Sequence, residues 1–394
     1  MTPELIEQVF SAVNESPPHL RGTKLEELCR NDTNLINEVI SLLSAAEQAA
    51  GFLSNSPADL ARHKHTIYAS AGQIIGCYRI VRPLGSGGMG SVYLAEPVSG
   101  PHQEYVAIKI VGHSFSTEAE LQRFRIERQI LANLKHPNIA GFLGSGEIDN
   151  SRAYLVMEYI QGIPINAHCQ HNQLTVPEIL ALFCSVCDGV EYAHQQHIIH
   201  RDLKPANIMV TTRGEPKLFD FGIAKLLDTS HLKRQQPETL AGMLLMTPEY
   251  AAPEQMTAAP ITAATDVYAL GVILYELLAG ERPYEFAGSG LLEIVKEISR
   301  SDIAPPSKKA PAERRAQLRG ALDAIVKKAL QKKPQHRYAT VGQLSHDLRC
   351  YIAGLPLQAK PGWGYRLGKF IRHHAGCGGI AALAVIVTEN TIGL

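Results

Sequence analysis

The chain has 394 residues, 45 % of them hydrophobic and 19 % charged, and its 38 basic and 38 acidic side chains leave no formal net charge. That length suggests two or three folding units, and the apolar fraction supports a core, which excludes wholesale disorder. Without a surplus of Lys and Arg there is no broad electrostatic grip on a phosphate backbone, so nucleic acid is not expected as a partner.

The N-terminus, MTPELIEQVF, is acidic and amphipathic. It lacks a basic region and a long apolar core, so it does not read as a secretory signal. Leu5, Ile6, Val9, Phe10 and Val13 follow a helical period until Pro17-Pro18. A shorter helix is expected over Leu25–Cys29. Leu35, Ile36, Val39, Ile40, Leu42 and Leu43 form a second stripe, closed by Gly51. Residues 1–53 therefore read as a small helical region with no catalytic constellation, and 54–77 as a polar linker.

From Tyr78 the pattern changes. YRIVRPL, SVYLAEP and EYVAIKIV are short runs rich in Val, Ile and Tyr, which predict strands. Beyond residue 175 helical patterns dominate. Strands followed by helices predict an α+β fold with a small β-rich lobe and a larger helical one.

The seven cysteines are scattered, and an odd number without a framework suggests a reducing compartment. Cys184 and Cys187 form a C-x-x-C inside LALFCSVCDGVEYAH, a helical pattern that places them near its apolar face. No second cysteine pair exists to complete a zinc site, so core packing is the expectation. His168, Cys169 and His171 receive the same reading.

LGSGGMGSV, residues 84–92, carries Gly85, Gly87 and Gly90 in the spacing G-x-G-x-x-G. The strand pattern SVYLAE follows it, where a dinucleotide-binding turn would open a helix. The glycines therefore cap a hairpin whose backbone can close over phosphates without side-chain clash. In VAIKI, Lys109 alternates with Ala107, and solvent exposure is the ordinary fate of such a lysine. The following segment argues otherwise. Thr117 and Glu120 predict a helix start, Phe124, Leu131 and Leu134 its inward stripe, and Glu127 falls on that stripe. A carboxylate there costs several kcal/mol without a partner, and Lys109 is the candidate.

IIHRDLKPANIMV places Arg201, Asp202, Lys204 and Asn207 between two apolar runs. Polar groups so placed need a ligand or metal to satisfy them. The stretch fits the signature H-R-D-L-x-x-x-N. Asp220-Phe221-Gly222 follows, then Ala252-Pro253-Glu254, Asp266 with Gly271, and finally Arg337. With these elements in this order, residues 78–353 resemble the catalytic domain of eukaryotic-type serine/threonine protein kinases of bacteria. The small lobe would be 78–158 and the large lobe 163–353.

The resemblance implies roles. Gly85, Ser86, Gly87, Gly88, Met89, Gly90 and Ser91 would cover the ATP triphosphate. Leu84, Val92, Ala107 and Met209 would sandwich adenine, with the backbone of Met157–Ile160, including Glu158 and Ile160, bonding the base. Lys109, held by Glu127, would grip the α- and β-phosphates. Asn207 and Asp220 would hold Mg²⁺, Asp202 would accept the substrate hydroxyl proton, and Lys204 would stabilise the transferred phosphate. Leu131, Phe142, His200 and Phe221 would stack into an apolar spine, and Glu254 would pair with Arg337.

In the activation segment Thr247 is expected near Asp202 and Lys204. Met243–Met246 is unusually apolar, and Thr239 is the first candidate phosphoacceptor, ahead of Thr229 and Ser230. The activity implied is phosphoryl transfer to Ser/Thr hydroxyls of proteins, including the chain itself, through a homodimer acting in trans. The alternatives are a pseudokinase-type nucleotide-binding module and a small-molecule kinase. The intact Lys109, Asp202, Asn207 and Asp220 speak against the first, and the A-P-E segment against the second.

Residues 354–374 form a basic juxtamembrane-like segment with Trp363, Arg366, Lys369 and Arg372. Residues 375–394 are an apolar tail. A full span needs about 20 apolar residues, so the readings are a membrane anchor, a truncated transmembrane segment or a tail packed on the domain. The expected location is cytoplasmic, at the inner face of the cell membrane if the tail inserts.

Overall fold

The computed structural model describes residues 69–87, 90–99, 104–111, 131–148, 152–221, 249–257, 259–284, 298 and 303–359, together with Leu28. The N-terminal helical stripes, Gly88, Met89, the segment with Thr117, Glu120, Phe124 and Glu127, the segment with Thr229, Ser230, Thr239 and Thr247, and the tail from residue 360 lie outside the described residues. From Ala69 onward the described residues belong to one compact unit.

Six strands form the first sheet: β1 (Ile74–Ile75), β2 (Tyr78–Gly87), β3 (Gly90–Pro97), β4 (Val106–Val111), β5 (Phe142–Ile148) and β6 (Arg152–Glu158). Their spatial order is β1-β2-β3-β4-β6-β5, with antiparallel neighbours. The period of two sorts the side chains. Val106, Ile108 and Ile110 point into a core with Ile80, Tyr93, Ala95, Tyr154 and Val156. The opposite face of β4 carries Ala107 and Lys109. The register sets Val92 and Leu155 opposite Lys109, and Leu94 and Met157 opposite Ala107.

Within the polar linker expected over 54–77, the last described residues already join the sheet. Ile74 and Ile75 pair with Arg79 and Tyr78. Ala69 is buried, and its N–H donates to the Tyr93 hydroxyl at 3.3 Å. A two-residue strand is too short to carry a readable alternation, so polarity was the only signal there.

The helical part contains α1 (Ile165–His171), α2 (Val176–Gln195), α3 (Pro253–Met256), α4 (Ala263–Ala279), α5 (Pro306–Lys309), α6 (Ala312–Leu318), α7 (Ala321–Ala329) and α8 (Val341–Ile352). A small sheet, β7 (Gly162–Pro164), β8 (Ile208–Thr211) and β9 (Pro216–Leu218), lies in the order β7-β8-β9. α2 starts at Thr175, whose N–H and hydroxyl both donate to Glu178. α4 is buried nearly throughout and stops at Gly280, whose φ of 83° suits a left-handed C-terminal cap. Its Tyr268 and Tyr275 are fully buried in one core with Phe183 of α2 and Tyr338.

Cys184 and Cys187 are buried free thiols in that core, and burial raises both pKa values. They pack, as expected. Cys169 is likewise buried, and burial pushes its thiol up to about 11. Among the described residues no group of His, Cys, Asp and Glu is arranged for a metal, and no helix is long and apolar enough to cross a membrane.

The first residues of the segment read as juxtamembrane-like, 354–359, pack on the domain. Leu357 is buried, and buried Asp347 accepts the N–H groups of Gln358 (2.7 Å) and Ala359 (2.8 Å) and the Tyr338 hydroxyl (2.8 Å).

Glu254 and Arg337 form the ion pair that the resemblance implied. The guanidinium meets both carboxylate oxygens at 2.6 and 2.7 Å and also donates to the carbonyls of Gln331, Ala264 and Lys332. Both side chains are almost wholly excluded from water. Removing one partner strands the other charge, so Arg337→Ala is expected to cost about 3–5 kcal/mol in urea denaturation. A loss below about 1 kcal/mol, the range of an exposed pair, would contradict this role.

Candidate active site

The glycine-rich stretch forms the predicted hairpin. Gly85 lies opposite Val92, Ser86 opposite Ser91 and Gly87 opposite Gly90. Gly90 has φ 129°, a conformation closed to ordinary L side chains. Directly beyond this hairpin, on the same face as Val92, lies Lys109.

Lys109 is not a solvent-facing strand lysine. Its ammonium ion-pairs with the carboxylate of Asp220, 111 residues away in the chain. Glu127, the partner expected from helical periodicity, lies outside the described residues, and the described partner is Asp220. Asp220 adopts φ 61°, in the sparsely populated left-handed region. Its neighbours hold it there. The Phe219 N–H donates to the Asn207 carbonyl at 3.2 Å, and the Phe219 carbonyl accepts from His200 Nε2 at 3.1 Å. Phe221 is buried with its ring 4.5 Å from the His200 imidazole. Of the expected spine, Leu131, Phe142 and Phe221 line a cavity with Lys109 and Asp220, and His200 stacks on Phe221.

The stretch from His200 to Asn207 is a loop between buried anchors, Leu203 below and Ile208 and Val210 behind. Asn207 Nδ2 donates to the Asp202 carbonyl at 2.8 Å and to its Oδ2 at 3.1 Å. Lys204 Nζ lies 3.0 Å from the same Oδ2. The three side chains picked from the motif therefore meet at one carboxylate oxygen. The amide nitrogen of Asn207 is thereby committed to Asp202, which leaves its oxygen as the donor a cation would take. That oxygen and the Asp220 carboxylate are hard ligands and fit Mg²⁺.

Below the loop, buried Asp266 accepts the N–H groups of His200 (2.8 Å) and Arg201 (3.0 Å), and its Oδ2 accepts His194 Nε2 at 2.7 Å. Burial alone would raise its pKa, but these hydrogen bonds, that from His194 foremost, hold it below the ordinary 3.8. The motif order flagged Asp266 and missed His194. His194 ends α2 on no recognisable spacing, and only a buried carboxylate needing donors could have pointed to it.

Met209 and Ala107 are half-buried, and Leu84 is exposed on β2. Met157 and Glu158 end β6 and Ile160 follows, as a connection between lobes requires. The Glu158 carboxylate is engaged by Lys217 at 2.9 Å and by the Gly141 N–H at 3.0 Å, so a nucleotide contact at this position falls to its backbone. The sequence reading missed Lys217, which looked like one more strand lysine.

His200 carries a pH signature. Complete burial lowers its pKa from 6.5, against the opposing pull of Asp266, Asp202 and Asp220 and of its bond to the Phe219 carbonyl. The unfolded chain then binds the proton that the folded chain refuses. This stability is present above pH 6.5 and is lost as pH falls from 6.5 toward the folded value. In chemical denaturation His200→Phe is expected to flatten the stability-versus-pH curve below 6.5. Equal slopes for the two proteins would contradict the assignment.

The protein kinase domain family model matches residues 78–348. Serine/threonine-protein kinase Pkn1 of Myxococcus xanthus is 37 % identical over 283 residues, covering 71 % of this chain and 38 % of the relative. Serine/threonine-protein kinase PknB of Mycobacterium tuberculosis (strain H37Rv) is 35 % identical, covering 72 % and 44 %. PrkC of Bacillus subtilis is 33 % identical, covering 70 % and 41 %. The match thus spans less than half of each of these relatives. Among solved structures, the Mycobacterium tuberculosis PknI kinase domain (C20A_R136A double mutant) aligns with a TM-score of 0.53 at 26 % identity, covering 72 % of this chain and 99 % of that one. The chain belongs to the protein kinase family, on its bacterial eukaryotic-type serine/threonine branch.

Proposed function

We propose that the chain is a serine/threonine protein kinase that transfers the γ-phosphate of ATP to hydroxyls of proteins, itself included, in bacterial signalling. The observation that carries this is the convergence of Lys109 and Asp220 on one cleft wall, with Asp202, Lys204 and Asn207 bonded together on the loop that reaches Asp220 through Phe219. Phosphoryl transfer asks the protein for positioning and charge neutralisation more than for covalent chemistry.

Lys109 grips the α- and β-phosphates, and the glycine-rich hairpin of β2 and β3 covers the triphosphate. Asp202, oriented by Asn207 and Lys204, accepts the hydroxyl proton as the oxygen attacks the γ-phosphorus. The O–P bond to the β-phosphate breaks and ADP leaves. Lys204 neutralises charge on the moving phosphoryl group. Asn207 and Asp220 would hold Mg²⁺, which when bound neutralises the phosphate oxygens. The complete polar set speaks against a pseudokinase. The A-P-E segment, whose Glu254 is locked by Arg337, supports a peptide acceptor over a small molecule.

Thr239 remains the first candidate for activating phosphorylation, with Thr229 and Ser230 behind it, and Thr247 would lie beside Asp202 and Lys204. A second copy of the chain would supply the phosphate in trans. Arg366, Lys369 and Arg372 would hold the chain at the inner membrane face should residues 375–394 insert.

With purified chain and labelled Mg-ATP, Asp202→Ala is expected to lower incorporation by ~10²–10⁴-fold. Chelation of divalent metal should abolish it. Equal incorporation by the variant and the parent would end the catalytic reading. Peptide mass mapping of the active protein should find phosphate on Thr239, and Thr239, Thr229 and Ser230 all unmodified would remove that candidate switch.

A further inference from the structure

The loop that carries Asp202 contains a residue in an unfavourable conformation. Arg201 has φ 64°, a left-handed geometry that a long side chain rarely adopts. Such a residue persists only when its surroundings over-determine it. Its N–H is held by Asp266 Oδ1 at 3.0 Å. Its carbonyl is held by Gln255 Nε2 at 2.9 Å. The carbonyl of Arg201 and the N–H of Asp202 belong to one planar peptide unit. Whatever fixes that carbonyl therefore fixes the direction in which the chain enters Asp202.

Gln255 makes a second bond from the other end of its amide. Its Oε1 accepts the Ala252 N–H at 2.9 Å. Ala252 is fully buried and begins the Ala252-Pro253-Glu254 run, which Arg337 pins through Glu254. A continuous set of bonds thus runs from the Glu254–Arg337 pair, through Ala252 and the Gln255 amide, to the Arg201–Asp202 peptide. Only a carboxamide at this reach donates at one end and accepts at the other. Glutamate would still accept from Ala252 but would set an acceptor against the Arg201 carbonyl. Leucine would satisfy neither.

We propose that Gln255 is a positioning residue for phosphoryl transfer, coupling the end of the activation segment to the catalytic loop by holding the Arg201 carbonyl. The coupling rests on the kinase reading above. It gives ordering of the segment around Ala252–Glu254 a direct route to the base that receives the substrate proton.

The test uses the full chain as parent, Gln255→Glu, Gln255→Leu and Asp202→Ala, with Mg-ATP and casein as acceptor. Gln255→Glu is expected to lower kcat by about tenfold with the ATP KM within about twofold, because the lost bond orients the loop and touches no nucleotide. Its melting temperature should fall less than that of Gln255→Leu, since the Ala252 contact survives. Gln255→Leu should lose both kcat and melting temperature. Amide hydrogen exchange across residues 199–203 should be faster in Gln255→Glu than in the parent. Parental kcat or parental exchange in that variant would overturn the coupling. A parent that incorporates no more phosphate than Asp202→Ala would end the kinase reading instead, and the exchange comparison would then decide the coupling by itself.

Discussion

The catalytic loop is held from below by a carboxylate that water does not reach. Asp266, at the start of α4, takes two successive backbone N–H groups, those of His200 and Arg201, and a third donor from His194. An ionised carboxylate in a protein interior is costly unless hydrogen bonds replace its water. Here the replacement is supplied by the backbone whose shape the site requires, so charge burial and loop geometry become one constraint. Arg201 could not otherwise keep its left-handed turn, and Asp202 would not face Lys204 and Asn207.

Two further ties radiate from that loop. Upward, His200 bonds the Phe219 carbonyl and stacks on Phe221, which sets Asp220 against Lys109 of the sheet. Outward, the Arg201 carbonyl meets Gln255, and beyond it the Glu254–Arg337 pair. The site is thus assembled by hydrogen bonds between elements far apart in the chain, laid over a core of α2, α4, α7 and α8. Buried, charge-assisted bonds of this kind are costly to break singly, which favours a loop with one conformation over a flexible one.

Much of this was legible in the sequence because it is local. The glycine spacing before a strand pattern predicted the hairpin, and the alternation in VAIKI placed Lys109 opposite the face of Ile108 and Ile110. The polar residues between Ile198-Ile199 and Ile208-Met209-Val210 announced a site. What escaped depends on partners distant in the chain. Lys109 meeting Asp220, His194 meeting Asp266 and Lys217 meeting Glu158 leave no periodic trace. The short strand at Ile74–Ile75 rests on backbone hydrogen bonds, and Gln358 and Ala359 dock through their backbone N–H groups on the Asp347 carboxylate, so neither segment's own side chains announce the contact.

The most direct test of the central role given to Asp266 is a comparison of kcat and ATP KM for Asp266→Asn and the parent. The substitution keeps the side-chain shape but turns one acceptor into a donor facing other donors. The account predicts a fall in kcat of about tenfold or more with ATP KM little changed. A variant with parental kcat would contradict the claim that this buried carboxylate shapes the catalytic loop.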